Sequence, residues 1–204
     1  RSGGLTGSQW GLRGSEDLGG GLKALFALES FFQTDSGANG RNSADPFLSR
    51  NAWVGLAGGF GQVSAGRQTN RLFVASGQFD PFGGSLQFSP IMLQTWQVAY
   101  DRAVLGDSVW NNTVQYTSPT IGGFRADVSY GFGEQASDHG RSNKSLAINY
   151  AQGPLAAALV AQTVQYGPGL DGTSITRQSA LLAAVSYDLG MAKVYGQWQR
   201  ARTP

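Results

Sequence analysis

The chain has 204 residues, no cysteine, and 15 Lys and Arg against 13 Asp and Glu for a net charge of +2. Without cysteine it has no disulfide framework or thiolate metal site, and its scattered basic residues argue against nucleic-acid binding. Charged residues make up only 14%, against ~25% in soluble domains, yet the mean hydropathy is slightly negative because Gly and uncharged polar residues fill the gap.

From Ser8 to Gly14 the chain alternates, Trp10 and Leu12 on one face and Gln9, Gly11 and Arg13 on the other. Period two is the mark of a half-buried strand. Glu16-Asp17-Leu18-Gly19-Gly20-Gly21 reads as a tight turn, and Leu22 to Phe32 returns with Ala24, Phe26 and Leu28 opposite Lys23 and Glu29. A polar loop over 35–46 leads to a strand from Leu48 to Ala57, a turn at Gly58-Gly59-Phe60-Gly61, and a strand from Gln62 to Thr69. Strict alternation would put Arg67 beside Val63 and Ala65, so a bulge at Gly66 is predicted to turn it inward.

Asn70 to Asp107 breaks the rhythm. It is too long for a hairpin turn and too rich in large apolar residues, among them Phe82, Phe88, Met92, Leu93, Trp96 and Tyr100, for a linker. A loop of this kind is predicted to fold into the bore of a barrel and narrow it.

The alternation then resumes, with Trp110, Val114 and Tyr116 against Asn111, Thr113 and Gln115. Phe124, Ala126, Val128, Tyr130 and Phe132 follow, opposite Arg125, Asp127 and Ser129. Leu146 to Tyr150, Leu155 to Tyr166, Ser179 to Leu189 and Ala192 to Arg202 complete about ten strands, the second of these apolar on both faces at its start. No apolar run approaches the ~18–20 residues of a membrane helix. Short and long connections alternate, and Tyr116, Tyr130, Tyr150, Tyr166, Tyr187 and Trp198 fall near strand ends. Both traits suit an all-β transmembrane antiparallel barrel with aromatic girdles. A soluble β-sandwich, with those aromatics as core, is the alternative.

Little in the sequence supports catalysis. Gly131-Phe132-Gly133-Glu134-Gln135-Ala136 fits a dinucleotide fingerprint by letter, but no βαβ pattern surrounds it. His139 is the only histidine and lies in a polar loop, and no Gly-x-Ser-x-Gly elbow exists. The expectation is a non-enzyme without cofactor or metal.

Ser8-Gln9-Trp10-Gly11-Leu12-Arg13-Gly14-Ser15-Glu16-Asp17-Leu18-Gly19-Gly20-Gly21, Arg50-Asn51-Ala52-Trp53-Val54-Gly55-Leu56, Gly66-Arg67-Gln68 and Phe79-Asp80-Pro81-Phe82-Gly83-Gly84 carry a resemblance. Together with Val114-Gln115-Tyr116-Thr117-Ser118-Pro119 they resemble the general porins of Gram-negative bacteria, especially the β-proteobacterial type. The resemblance implies a trimeric 16-stranded outer-membrane barrel for passive diffusion of small hydrophilic solutes and ions. Residues 1–204 would then be a single incomplete barrel domain, a fragment whose first strand precedes Arg1 and whose last strands follow Pro204, with 70–107 as the constriction loop. The alternatives are an outer-membrane barrel of another class, an adhesin or enzyme, or the soluble sandwich.

The resemblance also implies the site. Arg50 and Arg67 are expected on the basic wall, joined by Arg13, with Arg71 at the loop's entry and Arg102 at its exit. Asp80 is the leading opposing acid, with Asp101 and Asp107 behind it. The chain departs from the family at Gln9 and near Val109, where Arg is usual, and Pro81-Phe82-Gly83-Gly84 lacks a Glu found in enterobacterial relatives. The remaining charges suggest a weak anion preference. A structural reading stands beside it, in which Arg50 and Arg67 pair with Glu29 or Asp80 to hold the loop. Trp10, Phe26 and Trp53 are the expected trimer contacts, and the outer surface would meet membrane lipid.

Overall fold

The computed structural model describes residues 4–96, 104, 106–133, 142–165 and 177–203. Ten strands follow one another: β1 Gln9–Gly19, β2 Leu22–Phe31, β3 Asn51–Gly58, β4 Gly61–Thr69, β5 Val109–Thr117, β6 Phe124–Gly131, β7 Asn143–Gln152, β8 Leu155–Gln165, β9 Arg177–Asp188 and β10 Lys193–Arg202. Each pairs antiparallel with its sequence neighbours, giving a single meander in chain order. Two helices, α1 Arg71–Gln78 and α2 Pro90–Trp96, lie between β4 and β5.

β1 runs past the expected turn. Glu16 and Asp17 pair with Ala24 and Lys23, and a register shift between Asp17 and Gly19 takes up the bend that the glycines permit. A bulge does form beside Gly66, as a register shift against β5 between Gly66 and Gln68, but it does not turn Arg67 as expected: β4 keeps its register against β3, and Arg67 pairs with Ala52 on the same side as Val63 and Ala65. Gly66 adopts φ +134°, and a Cβ there would sit 2.2 Å from the Ala52 carbonyl, so no larger residue fits. The extra residue lies in β5, where Asn112 takes φ +47°. That shift carries Trp110 out of step with Val114 and Tyr116: it pairs with Gln68 and is buried.

The short connections 20–21, 59–60, 118–123, 153–154 and 189–192 all fall at one end of the sheet, and the longer ones, 32–50, 70–108, 132–142 and 166–176, at the other. Register fixes the faces. Val128, Leu146, Ala161 and Leu181 form one cross-strand row, and Asp127, Ala147, Val160 and Leu182 form the row behind it. On the first face Val54, Leu56, Val63, Val114, Phe124, Val128, Leu159, Val185 and Trp198 are all exposed. The opposite face carries Ser64, Gln115, Asp127, Ser129, Ser145 and Gln162. This polarity is the inverse of a soluble sandwich, whose apolar face would be closed off from solvent.

The core lies on the inward face. Leu72, Ala75 and Phe79 of the long loop pack with Val104 on Ala147, Ala158, Val160, Ala180, Leu182 and Ala184. These wall residues are where β7, β8 and β9 turn apolar on the inner parity as well, which accounts for the two-sided apolar stretch at Leu155. α1 starts where Asn70 caps it, its side-chain oxygen accepting from the Phe73 N–H at 2.8 Å. Its apolar residues recur at the i, i+3, i+7 spacing of one helical face. In α2, Pro90 opens the first turn and the Ser89 hydroxyl accepts from the Met92 N–H at 3.2 Å. The two helices meet through Phe73 and Trp96, edge to face at 5.2 Å.

A candidate constriction on the inward face

Three clusters of charge border the space beside the loop. The first centres on Glu29 in β2. Arg13 Nε donates to its Oε1 at 2.5 Å, and Arg50 and Asn51 donate to Oε2. Glu29 lies beside Gly11 across the β1–β2 pair. A Cβ at Gly11 would come within 2.6 Å of the Glu29 side chain, so the glycine makes room for the carboxylate. The Glu29 side chain is 9% exposed, Arg50 25% and Arg13 66%, which leaves Arg13 as the member presented to solvent.

The second centres on Asp127 in β6, only 1% exposed. Arg71 at the start of α1 lies 3.2 Å away and Arg125 3.8 Å. Thr117 and Asn149 donate to the same carboxylate at 2.7 and 3.0 Å. Asp127 is thus fully surrounded by donors, and it anchors the loop's entry to the wall. Each of these two clusters holds two guanidiniums and one carboxylate.

The third ties loops together at the loop-bearing rim. Arg41 donates to Asp45 at 2.7 Å and to Asp107 at 2.8 Å, and stacks over Phe31 at 4.9 Å. Arg67 reaches Asp107 at 3.5 Å and donates to the Ser49 carbonyl at 2.8 Å. Burial alone would raise the Asp107 pKa, but the hydrogen bonds and charge of Arg41, with Arg67 behind it, hold the carboxyl below its ordinary value. Asp45 is lowered in the same way, its burial outweighed by Arg41. With two cations and two anions this cluster is neutral. Asn70 closes the loop's neck, donating from its side chain to the Asp107 carbonyl at 2.9 Å.

The expected site is therefore redistributed. Arg13 and Arg50 share Glu29, as the structural reading had it for Arg50. Arg67 meets Asp107, and Arg71 joins Asp127 on a different part of the wall. Asp80, the leading acid in the sequence reading, faces none of these cations. Its Oδ2 accepts from the Phe82 and Gly84 N–H groups at 3.1 and 2.8 Å, so it builds the turn within the loop. Asp101 and Arg102 lie outside the described residues. Arg41, Asp45, Arg125 and Asp127 were not among the expected site residues, and Glu29 was expected only as a structural partner of Arg50 or Arg67. The inward parity of Arg125 and Asp127 in a regular strand was the available signal for those two.

Trp10 and Phe26 do take outward positions, and the Phe26 ring lies over Gly14. Trp53 does not: it pairs with Ala27 in the same row as Arg13, on the inward face. The expectation failed because Asn51-Ala52-Trp53-Val54 does not alternate clearly enough to show which of Trp53 and Val54 faces out.

A family model for Gram-negative porins matches residues 1–204. Outer membrane porin protein 32 of Delftia acidovorans is 34% identical over 98% of this chain and 56% of its own length. An outer membrane porin protein of Bordetella pertussis is 32% identical over 76% of this chain and 41% of its own length. Among solved structures, an anion-selective porin from Comamonas acidovorans superposes with a TM-score of 0.81 at 29% identity, covering 98% of this chain and 59% of that one. OmpF of Salmonella typhi, with a TM-score of 0.70 at 16% identity, shares the fold. The chain spans about half the length of these relatives.

Proposed function

Because this chain belongs to the Gram-negative porin family, we propose that it supplies wall and constriction to a water-filled outer-membrane pore through which small hydrophilic solutes and ions diffuse, with a preference for anions. The observation that carries the selectivity is the pair of inward clusters, each with two guanidiniums around one carboxylate. Each leaves one positive charge in excess, and Arg13 and Arg125 are its more exposed bearers. Fixed charge at a narrow point raises the local concentration of the opposite ion and sets which ions pass. The neutral rim cluster adds shape rather than selectivity.

Residues 70–107 act as the constriction loop, held to one side of the bore by the apolar strip on β7–β9. The outward apolar band faces membrane lipid. In a homotrimer, the outward surface around Trp10 and Phe26 is the subunit contact. The inward groups hold charge and order water, and the protein acts as a channel without catalysis. The full-length protein reconstituted in a planar bilayer should add stepwise conductance. In a KCl gradient its reversal potential should carry the sign of chloride preference. A clear cation preference would overturn the selectivity, and an absence of conductance steps the channel itself.

A further inference from the structure

We propose that the inward wall around Trp53 is a subsite for small aromatic carboxylates, held between the Trp53 ring and the Arg13 guanidinium. The site presupposes the pore proposed above, and it selects among the solutes that the pore admits. Register places Arg13, Ala27, Trp53, Gly66 and Thr113 in one inward row across β1 to β5. One step nearer the loops, the inward residues of the first three strands are Gly11, Glu29 and Asn51. A solute that meets the Glu29 cluster therefore meets Trp53 as well.

Trp53 is unlike the other tryptophans of the inner structure. Trp110 is only 3% exposed, and Trp96 packs edge to face on Phe73. Trp53 stays partly exposed, and among the described residues its ring meets no other aromatic. Its neighbours in the row are Ala27 and Gly66, and the inward positions beside it on β3 are Asn51 and Gly55. A tryptophan that served only to hold the wall would be packed against large groups. Among small neighbours, part of the indole is left facing the bore, and covering it removes apolar area from water.

The charge stands at the end of the same row. Arg13 is the exposed member of its cluster, and only its Nε is engaged, by Glu29 Oε1 at 2.5 Å. Its two terminal nitrogens make no hydrogen bond among the described residues. They keep the planar, two-pronged edge that suits a carboxylate. Arg13 and Trp53 stand two strands apart, roughly 10 Å at the usual spacing. Ala27 leaves a shallow gap between them, and Leu25, the next inward residue of β2, adds an apolar border. An anion the size of benzoate spans that gap, its ring against the indole and its carboxylate on the guanidinium. Chloride or acetate reaches the guanidinium alone, and a neutral aromatic gains nothing from the charge.

The test uses the full-length protein in a planar bilayer at neutral pH, with chloride carrying the current. Sodium benzoate, sodium acetate and benzamide are added in turn. Benzoate should interrupt the current in a concentration-dependent way, and the other two at the same concentrations should not. Trp53→Ala and Arg13→Gln should each raise the half-blocking benzoate concentration about tenfold. Val54→Ala, at the adjacent outward position, should leave it unchanged. Equal block by acetate or benzamide, or an unaltered half-blocking concentration in Trp53→Ala, would overturn the proposal. Should Trp53→Ala not fold, Trp53→Leu keeps apolar bulk without the ring and should still weaken the block several-fold; no loss there overturns it too. An absence of conductance steps would remove the pore and this site together. Steps with chloride preference and no block by benzoate would overturn the site alone.

Discussion

Glu29 sets how much positive charge the first cluster shows to the bore. Its carboxylate is shared by Arg13 and Arg50 and nearly hidden beneath them. Glu29→Gln removes one negative charge and keeps the side chain's shape, so the cluster's excess doubles. The anion preference should increase, with the reversal potential in a KCl gradient moving further toward the chloride limit. An unmoved potential would show that this cluster does not control the ion path. Asp80→Asn is the informative contrast. Among the described residues its carboxylate serves two backbone N–H groups and no cation, so selectivity should hold while the turn loses about 1 kcal/mol. The sequence could not rank these two acids. Alternation gives the face of Glu29, but only the register of β1 against β2 brings it under Arg13. Asp80 lies in a loop with no period to read; its proximity to a motif suggested a place in the constriction, and among the described residues its carboxylate's contacts are the Phe82 and Gly84 N–H groups.

At the scale of elements, the strands were legible and the helices were not. Period two survives wherever one face meets lipid and the other water, so β6 and β9 could be read almost residue by residue. α1 is short, and Val74, Ser76 and Gly77 are weak helix formers. Its spacing of Leu72, Ala75 and Phe79 was present in the sequence but meant little until a matching apolar strip was seen on β7–β9. Docking holds the helix, more than propensity does. Leu72 is fully buried in that contact. Leu72→Glu would bury a carboxylate without a partner, so α1 should leave the wall. Gln197, which donates to the Ser76 carbonyl at 3.1 Å, would lose its partner with it. The expected result is higher single-channel conductance with more open-channel noise. Leu182→Ala, from the wall side of the contact, should act in the same direction through a cavity worth roughly 2–5 kcal/mol. Quiet channels of unchanged size in both variants would place the constriction elsewhere.

For the whole molecule, one property organises the rest: each strand turns apolar side chains away from the charged clusters, and the inward face adds apolar groups of its own at Trp53 and on the β7–β9 strip where the loop docks. The short connections already pair the strands they join, while the long ones leave the order across them open, and the observed pairing completes a single meander. What alternation could not give was which face is the wet one where both are apolar, and the loop docked on β7–β9 answers that. The two faces should respond oppositely to the same charge. Leu159 is outward and lies midway along β8, while Ser15 is an exposed inward residue of β1. Leu159→Arg places a guanidinium in the hydrocarbon and should lower the stability of the full-length protein by about 2–4 kcal/mol. Ser15→Arg faces water and should cost little. Urea titrations of the protein folded into phosphatidylcholine vesicles measure both. Equal costs at the two positions would mean that the outward band does not meet lipid, and with it the membrane orientation of the whole sheet would fall.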